Sequence, residues 1–177
     1  NGGYVTSHRD DSEPWKVTVV DTGLNTMTGG RIKRISRHIG DETFCMTYGD
    51  GVSDVPLDKV VDFHKNHKKK ATLTAVRPEG RFGMMDMDGD AITAFREKNA
   101  VDSGWINGGF MVLEPDVFDT IEGDSTIFER GPIEHLASDG ELMAYRHDGF
   151  WQCMDTMRDK EKLQELWDSG KAPWKNW

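Results

Sequence analysis

An apolar run that ends in a carboxylate between two glycines, Phe44-Cys45-Met46-Thr47-Tyr48-Gly49-Asp50-Gly51, constrains this chain more than any other stretch. Its apolar half predicts a buried, central strand, and Gly-Asp-Gly predicts the turn that stops it. Strand-like runs alternate with segments of helical period on either side, the pattern of an α/β domain. In open α/β sheets ligands bind in the crevice outside the carboxyl ends of the strands, which is where Asp50 falls in this reading. Two glycines leave room beside it for a bulky polyanion and a metal. The same three residues serve equally well as an Asx-turn or as the cap of the next helix.

The order of the other segments supports one α/β domain over residues 1–177, with 171–177 as a tail. Asn1 to Pro14 are polar and read as loop or weak edge strand. Trp15 to Val20 is β-branched and partly alternating, which predicts a strand ending at Asp21-Thr22-Gly23. Thr28-Gly29-Gly30 then reads as a loop at the start of a helix over Arg31 to Ile39, where Ile32, Ile35 and Ile39 recur at helical spacing. After the central run, Pro56 opens a second helix with Leu57, Val60 and Val61 on one face and Asp54 placed to cap it. Its last turn carries Lys65, Lys68, Lys69 and Lys70, cations that complement the macrodipole. His64 and His67 lack a third metal ligand nearby.

Further strands are predicted at Ala71 to Val76 and Ile106 to Leu113, with a hairpin between them (Met84 to Met87 and Ala91 to Phe95) that turns at Asp88-Gly89. Asp86, Asp88, Asp90 and Glu97 mimic part of a calcium-binding loop, but Ala91 stands where glycine is needed and no helices flank it. Short helical segments are expected at Asp116 to Ile121 and Ile127 to Leu136, and a strand at Leu142 to Tyr145. A last helix carries Leu163, Leu166 and Trp167 on one face. Thr156 and Asp159 make a capping pair at its start, so Asp155 lies just outside a helix N-terminus. Trp174 and Trp177 make the tail too apolar to leave in water, and it is expected to dock on the domain or on a second subunit.

Lys+Arg 22 against Asp+Glu 31 gives a net charge of -9, which argues against a surface built for nucleic acid. An anionic ligand must therefore be met by a few local cations. The two cysteines, Cys45 and Cys153, are too few for a disulfide framework or a four-cysteine zinc site, and read as buried thiols in a reducing compartment. No apolar run approaches the roughly 20 residues of a membrane span. The expectation is a cytoplasmic protein with no membrane partner.

Asp50 and Asp155 fall where α/β domains put their crevice, and together they suit one Mg²⁺, which takes one or two carboxylates plus phosphate oxygens. Glu97-Lys98 offers an acceptor for a sugar hydroxyl and a cation for a phosphate, although such neighbours also form plain surface ion pairs. Thr28-Gly29-Gly30 offers backbone groups to a nucleobase edge or an anion, or is a simple helix cap. No serine, cysteine or histidine constellation points to a covalent nucleophile. The glycine pairs match neither a P-loop nor a dinucleotide fingerprint. What remains is a metal-and-phosphate site suited to direct displacement at phosphorus.

Seven segments in this order, Trp15 to Gly23, Thr26 to Arg31, Tyr48-Gly49-Asp50-Gly51, Gly80-Arg81-Phe82-Gly83, Glu97-Lys98, Ile106 to Phe110 and Phe150 to Thr156, resemble the glucose-1-phosphate cytidylyltransferases, a branch of the sugar-phosphate nucleotidyltransferases. The resemblance runs from about Pro14 to the C-terminus. It implies a Rossmann-like mixed, mainly parallel sheet flanked by helices, as in nucleotide-diphospho-sugar transferases. It also implies CTP and glucose 1-phosphate as substrates, CDP-glucose and pyrophosphate as products, and a place on the route to dideoxy sugars of surface polysaccharide. By the same resemblance Asp50 and Asp155 hold Mg²⁺, the base lies near Thr28 and Gly29, and the sugar phosphate lies against Gly83, Glu97, Lys98, Asn107 and Gly108.

Two departures stand out. Asn99 follows Glu97-Lys98 where the family usually has proline. The family's opening strand, its Gly-rich triphosphate loop and its catalytic lysine have no counterpart, so the chain looks like an N-terminally truncated version of the fold, with an exposed sheet edge. Such a chain is expected to form a homo-oligomer or to meet a separate N-terminal fragment. Two functions follow: a nucleotidyltransferase completed by such a piece, or a noncatalytic sugar-phosphate-binding or assembly remnant. A metal-dependent glycosyltransferase is a weaker third, because Asp50-Gly51-Val52-Ser53-Asp54 lacks its Asp-x-Asp.

Overall fold

A computed structural model of the chain describes residues 15–78, 83–88, 90–97 and 104–175. Its centre is a four-stranded sheet in the order β1-β6-β3-β7, formed by β1 (Phe44–Met46), β3 (Ala71–Val76), β6 (Ile106–Leu113) and β7 (Leu142–His147). β6 pairs antiparallel with β1 and with β3, whereas β3 pairs parallel with β7. β1, β3 and β7 therefore run one way and β6 the other, which is the mixed, mainly parallel sheet expected. β3 and β6 form over the predicted ranges because their branched and apolar side chains suit a surface covered on both faces.

Successive residues of β6 point to opposite faces of the sheet and feed two cores. On one face Met111 and Leu113 pack with Ala71, with Ile32 of α1 (Thr28–Ile39), with Leu136 of α3 (Pro132–Ser138), and with Val117, Ile121 and Phe128. On the other face Val112 meets Val55 and Val60, the latter from α2 (Leu57–His67). Phe128 and Ile121 are both 0% exposed, and full burial of such a side chain is worth about 1.5–3 kcal/mol. Helices thus cover both faces. Val117 belongs to a 3-10 helix (Pro115–Thr120), which forms the short helical segment expected at Asp116 to Ile121 one residue earlier.

Two ribbons complete the fold. β2 (Gly51–Ser53) pairs antiparallel with β8 (Trp151–Cys153), and β4 (Gly83–Asp88) pairs antiparallel with β5 (Ala91–Glu97) in the predicted hairpin. α4 (Met157–Asp168) starts on the expected capping box: the Thr156 hydroxyl accepts from the Asp159 N–H while the Asp159 side chain accepts from the Thr156 N–H. In the tail, Trp174 stacks on Phe150 with ring centroids 5.4 Å apart, and Ala172 is buried. No described helix is long and apolar enough to cross a membrane.

Several local expectations are corrected. The apolar run before Asp50 gives only a short strand, which among the described residues stands at the edge of the sheet and not at its centre, and Cys45 is exposed. Trp15 to Val20 forms no strand, and Val17 and Val19 are 76% and 91% exposed. A strand is held by a neighbour's N–H and C=O groups, and none of the described strands pairs with this segment. Asp54 does not cap α2, because its carboxylate accepts from His147 Nε2 at 2.8 Å; Pro56 precedes the helix without a side-chain cap. Leu57 is half exposed, so the buried stripe of α2 begins at Val60. α1 starts at Thr28, and its two glycines lie inside the helix.

The burial of Phe128 sets a test of this packing. Phe128→Ala should lower unfolding free energy by about 3–5 kcal/mol through lost transfer energy and a residual cavity. Val19→Ala, at an exposed position, should change it by under about 0.5 kcal/mol. Urea unfolding of both variants checks this, and equal midpoints would contradict the core described above.

Candidate active site

The sheet topology decides which residues can meet. The carboxyl ends of β1, β3 and β7 and the amino end of β6 share one edge, with Val76 opposite both Ile106 and His147. Past Met46 the chain runs on through Thr47, Tyr48 and Gly49 to Asp50, so Asp50 stands beyond this edge, in the crevice position. The β2–β8 ribbon then brings in the second carboxylate. Gly51 is in register with Cys153, and the Met154 N–H donates to the Asp50 carbonyl at 2.7 Å. Asp155, the next residue, is thereby brought to the same end of the ribbon as Asp50, and both are exposed. The Cys153 thiol lies 3.2 Å from Asp155 Oδ2.

The ribbon is anchored twice. Trp151 Nε1 donates to the Gly108 carbonyl at 2.8 Å, tying β8 to β6. His147 at the end of β7 meets Asp54 just after β2, and Gly149 leaves room for the pair, since a Cβ there would lie 2.5 Å from both Asp54 Oδ1 and His147 Cε1. Gly108 is similarly demanded by contact: its Cβ would stand 2.8 Å from Val76 Cγ1. This close approach accompanies the register shift of β3 against β6 between Leu73 and Ala75.

The start of α1 is built by backbone contact rather than by an open loop. Met27 N–H donates to the Asp124 carbonyl at 2.8 Å and Gly29 N–H to the Thr126 carbonyl at 2.9 Å. Cβ atoms on Gly29 and Gly30 would lie 2.8 Å from Thr126 O and 2.6 Å from Asp124 Cα, so only glycine admits this packing. The Gly29 N–H is thus engaged within the chain. The Thr28 hydroxyl accepts from the Phe128 N–H and donates to Glu129 Oε2, both at 2.9 Å.

Glu129 has a second partner, the Tyr48 hydroxyl, which donates to its Oε1. The Tyr48 ring lies against Gly109, whose φ of +82° suits glycine and whose Cβ would come within 2.8 Å of Tyr48 Cδ2. Asn107 closes the group: its Oδ1 accepts from the Gly109 N–H at 2.9 Å, where Gly109 meets the Tyr48 ring. Loss of water raises the Tyr48 pKa well above the ordinary phenol range. The Glu129 hydrogen bond and charge and the nearby Asp50 charge add to this, and Asn107 opposes it.

Of the site residues expected from sequence, Thr28, Gly29, Asp50, Asn107, Gly108 and Asp155 are held by this set of contacts. Gly83 and Glu97 are register partners at the open end of the hairpin, which leaves the sheet after β3 and returns to it before β6. Lys98, Gly80, Arg81 and Phe82 lie outside the described residues. Tyr48, Glu129, Trp151 and the Asp54–His147 pair were not anticipated as site residues. Tyr48 had a signal, its place in Tyr-Gly-Asp-Gly; Glu129 had none, lying 81 residues from Tyr48 and 101 from Thr28. His64 and His67 serve structure at the opposite edge: both bond the Thr72 hydroxyl, and His64 also meets Glu114 at 3.0 Å. Among the described residues no three His, Cys, Asp or Glu side chains converge to hold a metal ion. Asp50 and Asp155 alone are a donor set for a hard cation that keeps waters and takes further oxygens from phosphate.

The raised Tyr48 pKa gives a pH test. A tyrosine that binds its proton more tightly when folded stabilises the fold fully below its unfolded pKa of about 10, and loses that contribution as pH rises beyond it. Unfolding free energy should therefore fall more steeply above about pH 10 in the unsubstituted chain than in Tyr48→Phe. Urea midpoints of the two proteins across that range decide it, and parallel curves would contradict the described environment.

Residues 6–156 match the nucleotidyl transferase family. The chain is 54% identical over 171 residues to the glucose-1-phosphate cytidylyltransferase of Salmonella typhi, an alignment covering 96% of this chain and 66% of that one. It is 42% identical over 166 residues to the probable glucose-1-phosphate cytidylyltransferase of Bacillus subtilis, covering 93% and 65%. It thus spans just under two thirds of the length of these relatives. Among solved structures, HddC from Yersinia pseudotuberculosis in complex with GMP-PN superposes with a TM-score of 0.67 at 21% identity, covering 89% of this chain and 70% of that one. A UDP-glucose pyrophosphorylase in complex with UDP-glucose superposes at 0.61 and 15%, covering 85% and 65%. Those two likenesses concern the fold. With the family match extending over most of its length, this chain belongs to the nucleotidyl transferase family.

Proposed function

We propose that this chain carries the metal and sugar-phosphate portion of a glucose-1-phosphate cytidylyltransferase, an enzyme that joins CTP and glucose 1-phosphate into CDP-glucose and releases pyrophosphate. The observation that carries the proposal is the β2–β8 pairing, which brings Asp50 and Asp155 to one end of a ribbon pinned to the sheet. The identity to cytidylyltransferases supports the choice of nucleotide and sugar.

In this reading a phosphate oxygen of glucose 1-phosphate attacks the α-phosphorus of CTP, the new P–O bond forms, and the bond to the β-phosphate oxygen breaks to release pyrophosphate. Asp50 and Asp155 would hold Mg²⁺. When bound, it supplies neutralisation of charge on the reacting phosphate. Lys98 meets the phosphate of the sugar, Glu97 a sugar hydroxyl, and Asn107 and Gly108 the remaining sugar edge. The base lies at the start of α1 beside Thr28. Gly29 serves there through its missing side chain, because its N–H is already donated to Thr126. No side chain acts as a covalent nucleophile, so positioning and charge stabilisation carry the rate.

A second reading has one observation in its favour: the alignments cover 66% and 65% of the two relatives. In it the chain is a sugar-phosphate-binding or assembly module, or one part of a split enzyme completed by a second copy or a separate N-terminal fragment. Pyrophosphate release with CTP, glucose 1-phosphate and Mg²⁺ separates the two. The transferase reading expects release that prefers CTP to UTP and falls at least about a hundredfold in Asp50→Asn, the scale of losing a main charge-stabilising group. An active Asp50→Asn protein would refute the metal assignment. No release from folded chain that still binds glucose 1-phosphate would establish the second reading.

A further inference from the structure

The feature that the proposed reaction does not use is the half-buried carboxylate of Glu129. Its two oxygens are taken by two hydroxyls from separate parts of the chain, Thr28 at the first turn of α1 and Tyr48 two residues before Asp50. No lysine or arginine pairs with it among the described residues, so hydroxyl donors alone compensate its burial. Its own position is set by the preceding residue: Phe128 is 0% exposed, and the Phe128 N–H donates to the same Thr28 hydroxyl. The Tyr48 ring is fixed in turn against Gly109, whose N–H donates to Asn107 Oδ1. One carboxylate therefore joins the helix start to the loop that carries Asp50 and to the glycine-rich start of β6.

We infer that Glu129 is a positioning residue that locks the nucleobase end of the site (Thr28) to the metal and sugar end (Tyr48–Asp50 and Asn107), so that substrates bound at the two ends are held at one fixed separation. The inference deepens the proposed function and rests on its placement of base and metal. It follows from the bonding pattern. A hydroxyl bonded to water would leave each segment free to move separately, whereas both hydroxyls bonded to one rigid carboxylate move only together. Stability alone would be served as well by a residue bonding either partner.

The test compares Glu129→Ala, Glu129→Gln and Tyr48→Phe with the unsubstituted chain, using backbone amide resonances and calorimetric CTP binding in the presence of Mg²⁺. In Glu129→Ala the amides of Thr28 to Gly30 and of Tyr48 to Gly51 should shift together, and CTP affinity should fall about tenfold, a coupling of ordinary size for a shared hydrogen-bond network. Glu129→Gln keeps an acceptor oxygen and should recover much of that affinity. Tyr48→Phe should move the Tyr48 to Gly51 amides and leave those of Thr28 to Gly30 nearly in place. Shifts confined to the neighbours of Glu129, or unchanged CTP affinity in a folded Glu129→Ala protein, would overturn the inference. An unsubstituted chain that binds no CTP would refute the proposed function instead, while the joint or separate movement of the two amide groups still decides whether Glu129 couples them.

Discussion

The antiparallel pairing of β2 with β8 is the constraint on which the site depends. Asp50 and Asp155 are distant in sequence and exposed, and nothing in their own burial would bring them together. Backbone hydrogen bonds bring them to one end of the ribbon: Gly51 faces Cys153, and the Met154 N–H donates to the Asp50 carbonyl. A short two-stranded ribbon is marginal by itself. It is held here by Trp151 reaching Gly108 and by His147 reaching Asp54, each of which ties the ribbon to a different strand of the main sheet.

The main sheet supplies the second half of the geometry through the reversal of β6. Because β6 runs against its neighbours, its amino end lies beside the carboxyl ends of β1 and β3. Asn107, Gly108 and Gly109 thereby enter the crevice that a fully parallel sheet would line with strand exits only. The glycines there are required by what lies next to them. Val76 crowds Gly108 and the Tyr48 ring crowds Gly109, so a methyl group at either position would push the strand off its neighbours.

What could be read from the sequence was local or periodic. β3 and β6 are apolar runs dense in branched and aromatic side chains, α2 and α4 have helical stripes, and the Thr156–Asp159 capping box is a short pattern with a defined mechanism. The Asp50 turn and the hairpin were legible for the same reason. Edge status was not. Phe44 to Met46 is apolar because it packs on the core, and apolarity does not record that only one of its edges has a neighbouring strand among the described residues. Trp15 to Val20 shows the reverse error, since alternation reveals a segment fit to pair but not whether a strand lies beside it. Asp54 and Glu129 were illegible because their partners, His147 and Tyr48, are 93 and 81 residues away. The Thr28-Gly29-Gly30 motif reads as a ligand loop or a helix cap, and the sequence does not show that its glycines also admit the close approach of Asp124 and Thr126.

The choice of a phenol to hold Glu129 has an electrostatic logic. An arginine in the place of Tyr48 would bond the carboxylate more strongly, but would set a full positive charge close to Asp50 and oppose any cation drawn there. A neutral hydroxyl fixes the carboxylate geometrically and leaves the field of Asp50 and Asp155 intact. The raised Tyr48 pKa keeps that hydroxyl protonated, and the charges of Glu129 and Asp50 contribute to the shift. The two carboxylates that Tyr48 stands between thus help to keep it in the one protonation state that can donate to Glu129. In a chain of net charge -9, neutral hydroxyl donors thus fix the shape of this edge without discharging its carboxylates.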